Sequence, residues 1–277
     1  MSAIKYRYSY LTQSEFTPAV TWHFFKLRAV PCSNEFQRVV SSRLEVLPSC
    51  RVSHSVDGQG NAVQWGSFDA EHAAFSVASE GEVEQIGPYV LHEAPAPYYL
   101  TATRLTSLPA ADAEVRELRS RLGASGGSVF GLAAEVMHHV HRRITYTPCH
   151  TTTATTAAEV WADGRGVCQD YAHVMIALCR LLGLHARYAN GLIGGDGQTH
   201  AWVEVSDGHE WRPFDPTHDL SPQWGYIKIA HGRDADDCPT NRGRIYAWTR
   251  EQMTIHVTAF TVSGEPNLSE NHPIKKT

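Results

Sequence analysis

The stretch Gly164-Arg165-Gly166-Val167-Cys168-Gln169-Asp170-Tyr171-Ala172-His173, running on through Val174-Met175-Ile176-Ala177-Leu178-Cys179-Arg180-Leu181-Leu182-Gly183, constrains the fold more than any other part of the chain. Two glycines open it, apolar residues follow at 171, 174, 175, 178, 181 and 182, and Gly183 ends it. This spacing predicts an amphipathic helix with Cys168 in its first turn. A helix N-terminus leaves backbone N–H groups unpaired and carries the positive end of the helix dipole, worth roughly 0.3–1 kcal/mol to a nearby negative charge. A thiolate, the nucleophilic form of cysteine, is favoured in such a place. A lone cysteine is more often a small buried hydrophobe. Cys179, flanked by Leu178 and Leu181, fits that description, whereas Cys168 stands at the helix start.

Downstream, Gln198-Thr199-His200-Ala201-Trp202-Val203-Glu204-Val205 alternates as a strand does, with His200, Trp202 and Glu204 on one face and Ala201, Val203 and Val205 on the other. Asp207-Gly208 is a turn signal, and His209 to Thr217 reads as a second strand. A hairpin closed by a four-residue loop, Ser206 to His209, keeps Pro213 out of a hydrogen-bonded pair, where its missing N–H would lose a ladder bond. In that register His200 and Asp215 are direct cross-strand neighbours, with Cβ atoms roughly 5 Å apart. A cysteine nucleophile is activated by an imidazole, which a third polar group must hold in one tautomer and orientation. Cys168, His200 and Asp215 supply nucleophile, base and orienting carboxylate.

Four segments together resemble the bacterial transglutaminase-like superfamily, whose bacterial members are mostly described as cysteine proteases. They are Gly-Val-Cys-Gln-Asp-Tyr-Ala-His (166–173), Leu-Gly-Leu-His-Ala-Arg-Tyr (182–188), Thr-His-Ala-Trp-Val-Glu-Val (199–205) and Phe-Asp-Pro-Thr (214–217). The resemblance implies an α+β fold: an N-terminal antiparallel β-sandwich, then a papain-like, transglutaminase-like core in which the cysteine helix packs on an antiparallel sheet carrying histidine and aspartate. By motif position it assigns the nucleophile to Cys168, the base to His200 and the carboxylate to Asp215. It extends to the first hundred residues, including the turn Asp57-Gly58-Gln59-Gly60-Asn61, and to Gly232-Arg233-Asp234. His185 stands where the family usually has proline, and the N-terminal strand lacks the usual histidine-threonine opening.

The chain of 277 residues holds one large or two ordinary domains. Alternation at Ile4, Tyr6, Tyr8 and Tyr10 and strand-like runs at 22–30, 38–47, 62–68, 73–78 and 82–86 predict a β-sandwich over 1–100. Residues 101–127 read as a linker, with Ala111 to Leu122 either a short helix or more linker; 128–265 form the catalytic core with C-terminal strands, and 266–277 a tail. Within the core, Ser128 caps a helix over Val129 to Arg143, whose His138, His139 and His141 fall on an exposed polar side. Ala157 to Asp163 is a short helix, and Tyr226 to His231 and Gln252 to Val262 are strands.

A net charge of −5 gives no footprint for nucleic acid or an acidic membrane. No run of eighteen apolar residues and no signal-peptide pattern is present, so a cytoplasmic location is expected. The six cysteines show no CxxC pair and no metal-ligand spacing, so neither metal nor cofactor is expected. The expected chemistry is acyl transfer on an amide of a peptide or protein, a glutamine side chain included. Hydrolysis leads, transglutaminase activity is the alternative, and a non-catalytic binding module on the same scaffold is the rival. Beyond the Cys168 N–H, the oxyanion or substrate contacts are sought among Gln169, Tyr146 and Trp161, and Trp202 is placed beside the cleft.

Overall fold

The computed structural model describes residues 3–109, 112–124, 127–197 and 199–263. The expected tail, 266–277, lies outside them, as does Ala111 of the expected linker helix. The N-terminal part is built from strands β1 (Ile4–Val20), β2 (His23–Leu27), β3 (Gln37–Leu47), β4 (Ser53–Val56), β5 (Ala62–Phe68) and β6 (His72–Gln85). Strict alternation along β1 buries Ile4, Tyr6, Tyr8, Tyr10, Thr12, Ser14 and Phe16, so a single apolar face meets Phe75, Val77 and Val83 of β6 in one core. The two runs expected at 73–78 and 82–86 are one strand, β6.

Helix α1 (Ala113–Ala124) lies in the expected linker and buries Val115 and Leu118. Next come α2 (Val129–Arg143), β7 (Thr145–Tyr146), α3 (Ala157–Asp163), β8 (Arg165–Gly166) and α4 (Cys168–Leu181). Ser128 accepts from the Gly131 N–H and caps α2, while Thr156 and Glu159 form a capping box on α3. Strands β9 (His185–Ile193), β10 (Gly195–Gly197), β11 (His200–Ser206), β12 (Trp211–Phe214) and β13 (Tyr226–Gly232) follow, then β14 (Asn241–Arg244) and β15 (Arg250–Ser263).

The core sheet has the order β12-β11-β9-β13, all antiparallel. One face, carrying Ala186, Ala201, Val203 and Val205, shares a core with Val174, Met175 and Leu178 of α4; the other carries a separate aromatic cluster of Tyr89, Tyr99, Trp202, Trp211 and Tyr226. This two-faced packing is an α+β arrangement.

β15, which the sequence reading gave to the core as a strand over Gln252 to Val262, returns to the sandwich, and so does β14, where no strand was expected. β15 pairs with β1 inside a sheet ordered β10-β15-β1-β6-β3, and β14 pairs with β2 in a sheet ordered β14-β2-β5-β4. Strand pairing is a long-range choice that the local alternation at Met253 to Ala259 does not encode. The sandwich also satisfies the edge of the core sheet. Side-chain amides of Gln37, Asn61 and Gln85 exchange hydrogen bonds of 2.7–2.9 Å with the backbone of Gly225, Tyr226, Lys228 and His231 along β13.

Candidate active site

Cys168 is the first residue of α4, and the turn that delivers it is tightly held. The Asp170 carboxylate accepts from the Val167 N–H at 2.8 Å and from the Thr151 hydroxyl at 2.6 Å. Burial raises the Asp170 carboxyl above its ordinary value, and these two donors work against that rise. A Cβ at Gly166 would stand 2.7 Å from the Asp170 Cβ, so only glycine lets the capping carboxylate come this close.

His200 opens β11 and is buried in the heart of the site. Its Nε2 lies 2.7 Å from Asp215 Oδ2, which leaves Nδ1 to serve Cys168, a residue that lines the same cleft. Burial disfavours the imidazolium. The Asp215 carboxylate overcomes this with help from Cys168 and pushes the His200 pKa up to about 10. Burial likewise works against the Asp215 charge, and the His200 and His218 rings outweigh it, holding this carboxyl far below the usual carboxylate range.

The hairpin register differs from the expected one by two residues. Val203 pairs with Phe214 and Glu204 with Pro213, and the loop is Asp207 to Glu210. The Asp207 side chain accepts from the His209 and Glu210 N–H groups, an Asx turn that moves the loop one residue onward. His200 and Asp215 are therefore diagonal neighbours on one face, still within reach of each other. Pro213 escapes the ladder because the backbone N–H and C=O of Trp211 both face outward to Leu91, which turns the Pro213 nitrogen to the same free side.

Past β12 the chain folds back on Asp215, whose backbone N–H and C=O pair with those of Leu220. Oδ1 accepts from the N–H groups of Thr217 and His218. Oδ2 meets three side chains: His200 Nε2 and His218 Nδ1 at 2.7 Å each and the Tyr226 hydroxyl at 2.6 Å. Sequence reasoning missed His218 and Tyr226. The first had a local signal, a histidine three residues after an aspartate followed by proline; the second arrives across the sheet and had none.

The α2 histidines, expected on an exposed polar side, instead bind neighbouring segments. His138 Nδ1 is 2.5 Å from Asp219 Oδ1 and His141 Nδ1 is 3.2 Å from the Pro216 carbonyl, so both grip the loop that presents Asp215. His139 lies 3.8 Å from Glu114.

Gln169 lines the same cleft as Cys168 and His200, its amide 3.4 Å from the Thr153 carbonyl. Tyr146 is half exposed beside Cys168; burial raises its phenol, and the nearby cysteine adds to the rise. Trp161 is elsewhere, buried in the helical core with the Arg143 guanidinium 5.1 Å from its ring. Its placement on α3, an amphipathic helix, turns it inward. Trp202 does not line the cleft either. It is fully buried behind His200, ring centroids 6.4 Å apart, and donates its N–H to the Tyr89 hydroxyl at 3.0 Å.

Among the described residues, His200, Asp215 and His218 bring three ligand-type atoms within 4.8 Å of one another. Asp215 Oδ2 sits at 2.7 Å from both rings, a hydrogen-bond separation. A tetrahedral zinc with bonds of about 2.0–2.1 Å would hold its ligand atoms about 3.3 Å apart. The trio is thus a carboxylate bridging two imidazoles.

A helix headed by a half-buried cysteine, set on an antiparallel sheet with a histidine–aspartate pair, defines the class of papain-like α+β proteins. Residues 117–216 match the transglutaminase-like superfamily and residues 6–84 the bacterial transglutaminase-like N-terminal region, which together cover more than half of the chain. The protein belongs to the transglutaminase-like superfamily, with the bacterial N-terminal region ahead of its core. It is 28% identical over 294 residues to an uncharacterised protein of Mycobacterium tuberculosis (strain ATCC 25618 / H37Rv), covering 94% of this chain and 93% of that protein. An uncharacterised protein of Mycobacterium leprae (strain TN) is 27% identical over 249 residues, 80% of this chain and 86% of the relative. The fold is that of a Cytophaga hutchinsonii protein solved as a proposed cysteine protease: TM-score 0.78 at 21% identity, over 96% of this chain and 93% of the other.

Proposed function

We propose that this protein is a thiol-dependent acyl transferase that cleaves amide bonds of peptides or proteins by hydrolysis. The observation that carries the reading is that Cys168, at the start of a buried helix, shares one cleft with an imidazole whose Nε2 is fixed by Asp215 at 2.7 Å. The Cys168 sulfur attacks the carbonyl carbon, and a C–S bond forms as the C–N bond breaks. His200 hands its Nδ1 proton to the departing amine. Water then attacks the thioester while His200 takes up its proton, releasing a carboxylic acid and restoring the thiol. The oxyanion meets N–H groups of the first turn of α4, which have no partner within the helix. Gln169, which lines the cleft, and Tyr146 are the side chains we propose for a second donor.

Asp215 keeps the imidazole in one tautomer and stabilises its charged form. A cytoplasmic location accords with this reading, since a reducing compartment keeps Cys168 as a thiol.

The test is alkylation of Cys168 by iodoacetamide, followed across pH and located by mass spectrometry, in the wild type and in His200→Ala. Fast labelling below pH 7 that disappears in His200→Ala is expected. Labelling equal in both proteins would overturn the reading and leave a binding module. Peptide hydrolysis with release of a new amine should accompany it. Incorporation of an added amine into a glutamine peptide, with ammonia released, would move the assignment to transamidation.

A further inference from the structure

One part of the cleft wall comes from β15 of the sandwich and is apolar. Along β15 the residues on the inward face are Ala259, Val257, Ile255 and Met253, alternate positions on one side of a strand. Opposite them on β1 stand Tyr8, Tyr10, Thr12 and Ser14, all buried. Exposure rises along this stripe: Ala259 and Val257 are buried, Ile255 is half-buried, and Met253 is 50% exposed. A single apolar stripe therefore leaves the protein interior and emerges into a cleft of about 360 Å³, where Met253 and Ile255 face the space bounded by Cys168 and His200.

The charges at the mouth are already paired. Arg242 Nη2 lies 2.7 Å from Asp236 Oδ1, and Arg104 approaches the other oxygen of that carboxylate at 3.4 Å. Single exposed apolar residues are ordinary on protein surfaces. Met253 differs because it continues a buried stripe and ends in the cleft that Cys168 lines. A flexible, polarisable thioether also adapts to side chains of several shapes.

We infer that Met253 and Ile255 form the specificity wall of the acyl site, so that the substrate is an extended peptide presenting a large aliphatic or aromatic side chain beside the bond that Cys168 attacks. This rests on the acyl-transfer reading, and it gives the N-terminal domain a part in substrate choice.

The probes are acetyl-leucyl and acetyl-aspartyl chloromethyl ketones, which alkylate a thiol with loss of chloride. Their second-order rates on Cys168 are each divided by the iodoacetamide rate of the same protein, so that changes in intrinsic thiol reactivity cancel. The wild type should prefer the leucyl probe by tenfold or more, the scale of discrimination one apolar side chain supplies. Met253→Glu should lose about tenfold of that preference, and Ile255→Ala should lower it in the same direction. Phe260→Ser, on the outer face of the same strand, should keep it. Retention of the wild-type ratio in Met253→Glu, or a wild-type preference for the aspartyl probe, would overturn the inference. An iodoacetamide rate insensitive to His200→Ala would instead overturn the acyl-transfer reading, and the two failures are therefore separable.

Discussion

Asp215→Asn removes one charge at the centre of the site while keeping the shape of the side chain. The His200 pKa stands at about 10 although burial pulls it down, so the neighbouring carboxylate supplies the rise. Without that charge the imidazole should fall to or below its ordinary value of about 6.5. At pH 8.5 a group with a pKa of about 10 is about 97% charged, and one at about 6.5 is about 1% charged. The assay is a titration of the ¹⁵N-labelled imidazole by NMR, with Cys168 alkylation run in parallel. The wild-type ring should remain an imidazolium beyond pH 9, and the variant ring should be neutral by pH 8.5, with alkylation slowed accordingly. The stability contributed by the raised histidine is fully present below pH 6.5 and is lost as pH rises through about 10. The stability contributed by the depressed Asp215 is present above about pH 4 and lost under acid. The variant should lack the alkaline limb and should be less stable at pH 7 by about 3–5 kcal/mol, because two buried donors, His200 and Tyr226, and the more exposed His218 lose a charged acceptor. A wild-type ring that titrates near 6.5, or identical titrations in the two proteins, would refute this reasoning.

Glu204, fully buried, receives Lys228 Nζ at 2.7 Å, Arg187 Nε at 2.5 Å and the Tyr89 hydroxyl at 2.5 Å. Burial alone would raise its carboxyl, but Arg187 and Lys228 hold it well below the usual range. Glu204→Gln should cost about 3–5 kcal/mol in urea unfolding at pH 7, and the difference should shrink as pH falls below about 4. His23 packs its Nδ1 3.1 Å from His72 Nε2 among Phe16, Phe25 and Phe75, and burial, then His72, lowers its pKa to about 4. The unfolded chain binds that proton more readily, so wild-type stability should fall by up to about 3 kcal/mol between pH 6.5 and 4, and His23→Leu should flatten this part of the urea-midpoint profile. A Cβ at Gly191 would stand 2.0 Å from the Ile227 carbonyl oxygen, where β9 meets β13. Gly191→Ala should cost about 3 kcal/mol or more by thermal denaturation.

What the sequence disclosed follows the range of the forces involved. The bounds of α2 and α3 were legible because Ser128 and Thr156 cap them through bonds three residues away, and Cys168 could be placed at the head of α4 because glycines bracket one apolar period. The alternation at 200–205 assigned its two faces correctly: Ala201 and Val203 meet α4, and Trp202 joins the aromatic side. Trp202 was nonetheless placed at the cleft, because alternation tells which face a residue occupies and not what covers that face. Here residues 89–99 cover it, with Tyr89 taking the indole N–H. The hairpin register slipped for a related reason. A side-chain acceptor, Asp207, chose the loop, and its two bonds outweigh any preference visible in the strands. His138 and His141 looked like an exposed polar side because their partners lie about eighty residues downstream in the Asp215 loop.

The return of β14 and β15 has a physical consequence for how the site is kept together. β13 is an edge strand of the core sheet, and an edge leaves backbone groups that need partners. Here Gln37, Asn61 and Gln85 of the sandwich supply six hydrogen bonds to it. At about 1 kcal/mol each these sum to about 6 kcal/mol, within the lower part of the 5–15 kcal/mol that stabilises a whole domain. The same amides are buried, so separating the two parts would leave donors and acceptors unpaired on both sides at a further cost. β10 adds a backbone link, pairing with β15 at Gly195 to Gly197, three residues before His200 in the sequence. The base is therefore tied through backbone pairing to the strand that carries Met253 and Ile255. The distance between nucleophile and cleft wall is thus set by pairing that neither part makes alone.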